Sequence, residues 1–379
     1  MKIFEVIQPR QQLDEGGDSG GVRYNSELGL LLAFCNSSAK LFDPHNPEKS
    51  IPATMLLDPK KTYDDIKKLV PKYYEPERLA WWVEHGKNVV RPIVVAKLIE
   101  LNERVEQFNW AGGKNQNPET SADVEFVGST ISGCSVKEDS GITLNNPTPK
   151  DLGINNEGDM FLQYAANEYK NWKKGTFEMV LAEAKANPGK HIGGKQPNKY
   201  YVVYDPKTKL YKCVGKNTFE GTAEEVIAKS STNAKWQRGI GDWFVVNYKV
   251  PAVKALMTPL QNSISKQFSK MIKSHLATDN AAAKLLKFVK RPFFYVNPAH
   301  VYYVPSIDDV ADLTLKDVIP GNADGATIKF FAKVGMRDSE EDATVEIHVR
   351  YANGMFEENP TARVQSLKNP QFLSWEELA

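Results

Sequence analysis

Four polar side chains alternate with apolar residues in two neighbouring segments, "DVEFV" and "ISGCSVK". Asp123 and Glu125 lie in the first segment, and Ser135 and Lys137 lie in the second. Because side chains two residues apart share one face of a β-strand, pairing of the two segments would gather all four into one polar cluster. Carboxylates beside a lysine suit a divalent metal and a water molecule that attacks phosphorus, since Mg²⁺ prefers oxygen ligands and a bound metal acidifies water.

A helix, an acidic strand, a turn and a strand that ends in lysine follow one another here, and this order resembles the PD-(D/E)xK nuclease superfamily. "SAD" at 121–123 stands where that family has PD, and "SVK" at 135–137 stands where it has (D/E)xK. The resemblance covers roughly residues 93–175. It implies that Asp123 binds a metal, that Lys137 and Ser135 occupy catalytic positions, and that the cofactor is Mg²⁺, with Mn²⁺ as an alternative.

The second acid of the motif is missing, because Ser135 stands in its place. A lone aspartate would hold Mg²⁺ poorly, since hard cations prefer several oxygen ligands. We expect a glutamate to provide the further ligand. Glu125 is the first candidate because it shares the strand face of Asp123, and Glu106 and Glu103 in the preceding helical segment follow.

Two alternatives are compatible with the same residues. Asp123 and Lys137 could form an ordinary cross-strand ion pair with a structural role. The serine at position 135 also favours a second function, in which the chain is a non-catalytic DNA-binding or phage assembly protein on a nuclease-like scaffold. The main function that the resemblance implies is a Mg²⁺-dependent DNA endonuclease, restriction-type or phage-encoded, that cleaves double-stranded DNA.

Lysine is unevenly distributed in a chain with a formal net charge of +1. Residues 170–217 carry eleven lysines against three acids, and residues 254–291 carry seven lysines and one arginine against one aspartate. Such a local excess is typical of a surface that binds a polyanion, although a solvated surface is the alternative. The candidate DNA contacts are Lys195, Lys199, Lys266, Lys270 and Lys273, of which the last three recur at helical spacing.

Composition excludes several other classes of protein. The 379 residues are 41% hydrophobic and 25% charged, as in an ordinary soluble globular protein. Three cysteines without a CxxC pair argue against a disulfide framework, and six scattered histidines lack zinc-site spacing. No signal peptide and no membrane-spanning apolar run is found. We therefore expect no membrane partner and a cytoplasmic location, in a bacterial or phage-infected cell, and a homodimer is left open.

Sequence periodicity predicts an α/β protein of the mixed α+β class, because no regular βαβ alternation is present. The resemblance implies a restriction-endonuclease-like core, in which helices flank a mixed sheet, with additional helical and β-hairpin elements. We predict three consecutive domains: an N-terminal mixed region at 1–92, a nuclease-like core with an inserted hairpin at 93–250, and a basic helical segment with closing strands at 251–379.

Individual elements are also predicted from periodicity and turn chemistry. The segment 27–35 is a buried strand or a short helix, and 75–110 is a long helical stretch broken near Arg91–Pro92. The remaining predictions are two helices at 159–175 and 177–187, a hairpin at 199–214 around an Asp-Pro-Lys-Thr turn, helical structure at 251–290, and strands at "FFYV", "HVYYV", "ATIKFFAKV" and "ATVEIHVRYANGMF".

Overall fold

The computed structural model describes most of the chain from Arg23 onward, in stretches with gaps between them. The described residues are 23–111, 122–138, 142, 160–193, 201–214, 218–230, 243, 246–247, 249–276, 286, 290–310, 312–321, 327–351 and 360–379. Within these stretches, helices and three sheets occur together, which confirms the mixed α and β class.

The helices, in chain order, are α1 Tyr24–Phe34, α2 Pro59–Leu69, α3 Pro76–His85, α4 Arg91–Glu100, α5 Met160–Ala186, α6 Ala223–Ser230 and α7 Pro251–Leu276, with a π-helical segment, Gly86–Val90, between α3 and α4. The strands are β1 Gln107–Trp110, β2 Val124–Val127, β3 Gly133–Val136, β4 Ile192–Gly193, β5 Tyr201–Asp205, β6 Leu210–Val214, β7 Phe219–Gly221, β8 Phe293–Val296, β9 Val301–Val304, β10 Leu313–Pro320, β11 Thr327–Met336, β12 Ala343–Tyr351, β13 Pro360–Lys368 and β14 Glu376–Glu377.

The chain forms two compact units, which do not follow the three consecutive domains predicted from sequence. Unit 1 comprises Met1–Thr143, Lys287–Leu313 and Lys368–Ala379, and unit 2 comprises Leu144–Leu286 and Thr314–Leu367. The chain therefore leaves unit 1 after the β2–β3 hairpin and returns twice. The returning segments bring β8, β9 and β14 to the sheet that β1 begins, so that sheet pairing joins segments far apart in sequence.

In unit 1, six strands of the described chain form one sheet in the order β1-β2-β3-β8-β9-β14. β1, β2 and β3 are a meander of antiparallel neighbours, whereas β3 and β8 are parallel. A parallel pair needs a crossover connection, and here the connection is the first passage of the chain through unit 2. The hairpin predicted at 123–127 and 131–137 is confirmed as β2 and β3.

Helix α1 is the central helix of unit 1, and it resolves the ambiguity of the segment 27–35. Its leucines are buried, and it packs against α3, β1 and β2. Two glycines allow α1 and α3 to touch almost backbone to backbone. A Cβ atom at Gly29 would lie 2.4 Å from the Trp82 Cβ, and one at Gly86 would lie 2.6 Å from the Ala33 Cβ. This close crossing fixes the position of Glu27, half a turn before Gly29.

The helical stretch predicted at 75–110 is shorter than expected. The irregularity before Pro92 is the π-helical segment, because proline lacks an N–H and the hydrogen-bond ladder ahead of it must widen. Helix α4 ends at Glu100, and Asn102 then takes a left-handed φ of 55°. Residues 107–110 form β1 instead, since pairing with β2 outweighs their helical spacing.

In unit 2, the described strands form two four-stranded sheets, β4-β5-β6-β7 and β10-β11-β12-β13. The hairpin predicted at 199–214 is confirmed as β5 and β6, with Asp205 opposite Leu210 and the Asp205 carboxylate accepting the Lys207 N–H at 2.8 Å. The four later strands predicted from sequence are confirmed as β8, β9, β11 and β12, except at residues 326 and 352–356, which lie outside the described residues. The two helices predicted at 159–175 and 177–187 are one continuous helix, α5.

Candidate functional site

Asp123, Ser135 and Lys137 come together at one end of the β2–β3 hairpin, as the sequence predicts. Val124 pairs with Cys134, so Asp123 and Ser135 are neighbours across the two strands. The Asp123 Oδ2 atom accepts the Val136 N–H at 2.7 Å and the Ser135 hydroxyl at 3.4 Å. The Lys137 Nζ atom lies 3.8 Å from the same oxygen, and its side chain is 27% exposed. Strand pairing thus orients the carboxylate while the ammonium keeps access to solvent.

A second buried acid, Glu27 of α1, belongs to the same site and was not among the residues predicted from sequence. Glu27 is 1% exposed, and its Oε2 atom accepts the indole N–H of Trp110 at 3.1 Å. Arg23, one helical turn earlier, places its Nε atom 3.4 Å from the other carboxylate oxygen. An indole and a guanidinium therefore hold the Glu27 carboxylate in a fixed orientation.

The electrostatics of Glu27 tie it to Asp123. The pKa of Glu27 is raised from 4.5 to about 8, mainly by burial and also by the negative charge of Asp123, while Arg23, the Trp110 hydrogen bond and Lys137 act in the opposite direction. A carboxyl group whose pKa is raised by burial and by a neighbouring carboxylate is a common feature of functional sites. A divalent cation bound by both would offset this repulsion.

The three glutamates predicted as the further ligand have other partners in the structure. Glu125 accepts the side-chain N–H of Asn109 at 2.6 Å. Glu103 accepts hydrogen bonds from Ser129 and Thr130 in the β2–β3 turn. Burial alone would raise the pKa of Glu103, but these hydrogen bonds hold it below its ordinary value.

Glu106 is exposed, and its backbone N–H donates to the Val127 carbonyl at 2.8 Å, at the turn end of β2. Since a strand rises about 3.3 Å per residue, that end lies about 13 Å from Asp123. The structure therefore does not bring Glu103 or Glu106 together with Asp123. Both glutamates therefore lie at the β2–β3 turn. The segment that holds them was expected to be helical, but in the structure it leads into β1.

The available ligands fit Mg²⁺ or Mn²⁺ better than a cation that needs a complete protein cage. Within the described stretches, no three His, Cys, Asp or Glu side chains are grouped closely enough to hold a metal ion, and the two acids that interact electrostatically here are Glu27 and Asp123. Mg²⁺ commonly keeps several waters and is bound by one or two carboxylates together with substrate phosphates. Calcium, with six to eight oxygen ligands, suits this pair less well.

Three of the five lysines predicted to contact DNA lie on α7 of unit 2. Lys266, Lys270 and Lys273 are exposed on α7, at the predicted helical spacing. The Lys273 ammonium lies 2.8 Å from a carboxylate oxygen of Asp317. Lys195 and Lys199 lie outside the described residues. A contact between any of these lysines and DNA stays a prediction.

Comparisons with protein-family models, curated proteins and solved structures gave no match to this chain. The functional assignment therefore depends on the geometry of the site itself. No helix in the described part of the chain has both the length and the apolar character needed to cross a bilayer.

Proposed function

We propose that the protein is a Mg²⁺-dependent nuclease that hydrolyses phosphodiester bonds of double-stranded DNA at the site formed by Glu27, Asp123 and Lys137. One observation carries the proposal: a buried helical glutamate interacts electrostatically with a buried strand aspartate, and a partly exposed lysine lies beside that aspartate. An ordinary cross-strand ion pair explains Asp123 and Lys137 but gives no reason for a second acid in this space.

Each residue has a role that follows from its contacts. Glu27 and Asp123 would hold the metal, which when bound lowers the pKa of a water and offsets the negative charge of the phosphate. The Val136 N–H and the Ser135 hydroxyl orient Asp123, so Ser135 acts as a positioning residue. Lys137 is the cation that can contact the reacting phosphate, because its side chain is near Asp123 and open to solvent.

The indole of Trp110 and the guanidinium of Arg23 position Glu27 in the same way. The lysines of α7 support the choice of DNA as substrate, because a cationic helix face attracts a polyanion. A cytoplasmic location in a bacterial or phage-infected cell and action as a homodimer are further parts of the proposal, carried over from the sequence resemblance.

A plasmid cleavage assay tests the proposed activity. Purified protein is incubated with plasmid DNA in Mg²⁺, in Mn²⁺ and in EDTA, and the products are separated on a gel. We expect nicked or linear DNA in either metal and intact plasmid in EDTA. Cleavage that persists in EDTA contradicts the proposal. A shifted but uncleaved plasmid in all three conditions favours the non-catalytic DNA-binding or assembly protein, with Ser135 marking a site that has lost its second strand acid.

A further inference from the structure

Two pairs of a cation and an aromatic ring lie side by side in unit 1. The Arg23 guanidinium lies 5.8 Å from the centre of the Tyr24 ring, and the Lys72 ammonium lies 4.8 Å from the centre of the Tyr73 ring. The two rings meet edge to face, with 6.1 Å between their centres. We call these four residues, Arg23, Tyr24, Lys72 and Tyr73, the strand surface. All four side chains are exposed or partly exposed.

A buried asparagine fixes the two pairs relative to each other. Asn25, which is 0% exposed, donates to the Tyr73 carbonyl at 2.8 Å and accepts the Glu75 N–H at 3.0 Å. The first turn of α1 is thereby joined to the segment that carries Lys72 and Tyr73. A surface that is held in place before it meets a ligand loses less conformational entropy on binding.

The strand surface is continuous with the proposed reaction site. The Arg23 side chain is 45% exposed at one end and contacts the Glu27 carboxylate with its Nε atom at 3.4 Å. The Tyr24 ring also meets Trp110 edge to face at 5.7 Å, and Trp110 donates to Glu27. A molecule bound along the strand surface therefore lies beside the two side chains that hold Glu27, Arg23 and Trp110.

We propose that the strand surface binds an unpaired segment of nucleic acid, with Arg23 and Lys72 on its phosphates and the tyrosine rings against its bases. The inference rests on the proposed function in that it takes the Glu27 and Asp123 pair as the reaction site, and it narrows the substrate to double-stranded DNA that contains unpaired bases, at an opened end, a gap or a melted segment. Alternating cations and aromatic rings are the composition of single-strand binding surfaces, because phosphates and base faces alternate along a strand.

The position of the cations explains why the bound segment is unpaired. The Arg23 guanidinium lies over the Tyr24 ring, where the ring quadrupole attracts it. The Lys72 ammonium lies near the Tyr73 ring and donates to its hydroxyl at 3.0 Å. A phosphate attracts the same cations more strongly, so a bound strand would draw the Lys72 ammonium and the outer nitrogens of Arg23 toward its phosphates and leave the ring faces to the bases. The Arg23 Nε atom would keep its contact with Glu27. Only a base that is not stacked within a duplex can present its face to a tyrosine. A duplex end that opens, a gap or a single strand would satisfy this requirement.

Fluorescence anisotropy with a short labelled oligothymidylate and with a labelled blunt duplex tests the proposal. The titrations are done in EDTA, so that no cleavage occurs and the outcome is independent of the activity assay. We expect the wild-type protein to bind the single strand more tightly than the duplex. The double variant Arg23→Gln, Lys72→Gln should lower the log–log salt slope of single-strand binding by about 1.4, since each such phosphate contact contributes about 0.7.

Two further variants distinguish an effect of the strand surface on binding from an effect of overall charge, and melting curves distinguish it from unfolding. Tyr73→Leu keeps an apolar side chain and removes the ring, and it should weaken single-strand binding by roughly 5- to 150-fold, the range for loss of one stacked base. Lys60→Gln, Lys61→Gln removes the same charge from two exposed lysines at the start of α2 and should leave the salt slope near the wild-type value. Thermal melts check that each variant is folded.

Three results would overturn the proposal: wild-type protein that does not bind the oligothymidylate, equal affinity for the duplex, or a double variant that behaves like the Lys60 and Lys61 control. Failure of plasmid cleavage with intact single-strand binding would instead reject the proposed activity and leave the strand surface supported.

Discussion

Replacement of Glu27 by glutamine should reduce Mg²⁺-dependent cleavage by roughly 10²–10³-fold or more while the protein stays folded. Loss of one electrostatic contact at a reacting centre costs about this much, and Glu27 is half of the carboxylate pair. Glutamine keeps the shape of the side chain, and its amide oxygen can still accept the Trp110 N–H. Single-turnover cleavage of a labelled DNA at saturating protein measures the effect without interference from product release.

The glutamates predicted from sequence provide matched controls for this substitution. Glu125→Gln, Glu103→Gln and Glu106→Gln make the same chemical change elsewhere. The Glu125 and Glu103 carboxylates accept hydrogen bonds from Asn109 and Ser129, and Glu106 is exposed at the far end of β2. Each should cleave at close to the wild-type rate. A wild-type rate for Glu27→Gln, together with a large loss in one of the other three variants, would move the metal site to that residue.

The metal-free protein should lose stability as pH rises from about 4.5 to about 8, because of Glu27. The pKa of its carboxyl is raised from 4.5 to about 8 in the folded state, mainly by burial and also by the charge of Asp123. In this interval the unfolded chain has lost the proton while the folded chain retains it, so the folded state binds more protons and each rise in pH favours unfolding. At most about 1.4 kcal/mol is lost per pH unit, which gives a total on the order of a few kcal/mol.

Urea unfolding at a series of pH values compares wild type with Glu27→Gln in EDTA. The variant has no titrating group at this position, so its stability should fall less over the same interval and should exceed that of the wild type at pH 8. Other titrating groups cancel in the difference between the two proteins. A difference that does not change between pH 5 and pH 8 would mean that Glu27 is already ionised in the folded, metal-free protein.

The strand half of the site could be predicted from sequence because its determinants are local. Alternation of polar and apolar residues sets the face of each strand, and the short turn at Gly128–Thr130 allows only an antiparallel pairing of two such segments. Asp123, Ser135 and Lys137 therefore meet as expected. Strands were also predicted at "FFYV" and "HVYYV", and the structure has them at Phe293–Val296 and Val301–Val304.

Glu27 was not predicted because its determinants are not local. It is the one acid in the run "ELGLLLAFC", and a helix that is buried on all sides shows no amphipathic period to distinguish it from a strand. Its distance from Asp123 depends on the close crossing of α1 and α3 at Gly29 and Trp82, which no periodicity reveals. An unpaired acid in an otherwise apolar run was the available signal, since burial of a charge without a partner is costly.

The helical stretch predicted at 75–110 was too long for a similar reason. Val94 and Leu98 are buried as their helical spacing predicts, but Phe108 is buried in a strand instead. The same apolar residues satisfy both patterns, and the pairing of β1 with β2 decides between them. The positions predicted for the candidate ligands Glu103 and Glu106 were wrong for the same reason. They were assigned to a helix, but they lie between the end of α4 and the start of β1.

Calorimetric titration of Mn²⁺ into metal-free protein gives the most direct test of whether Glu27 and Asp123 form a metal site. At pH 7, below the pKa of Glu27 of about 8, binding should release up to about one proton, which is measured by repeating the titration in buffers of different ionisation enthalpy. We expect binding with proton release in the wild type and in Glu125→Gln, and loss of both in Glu27→Gln. Undiminished Mn²⁺ binding by Glu27→Gln, with the same proton release as the wild type, would contradict the assignment.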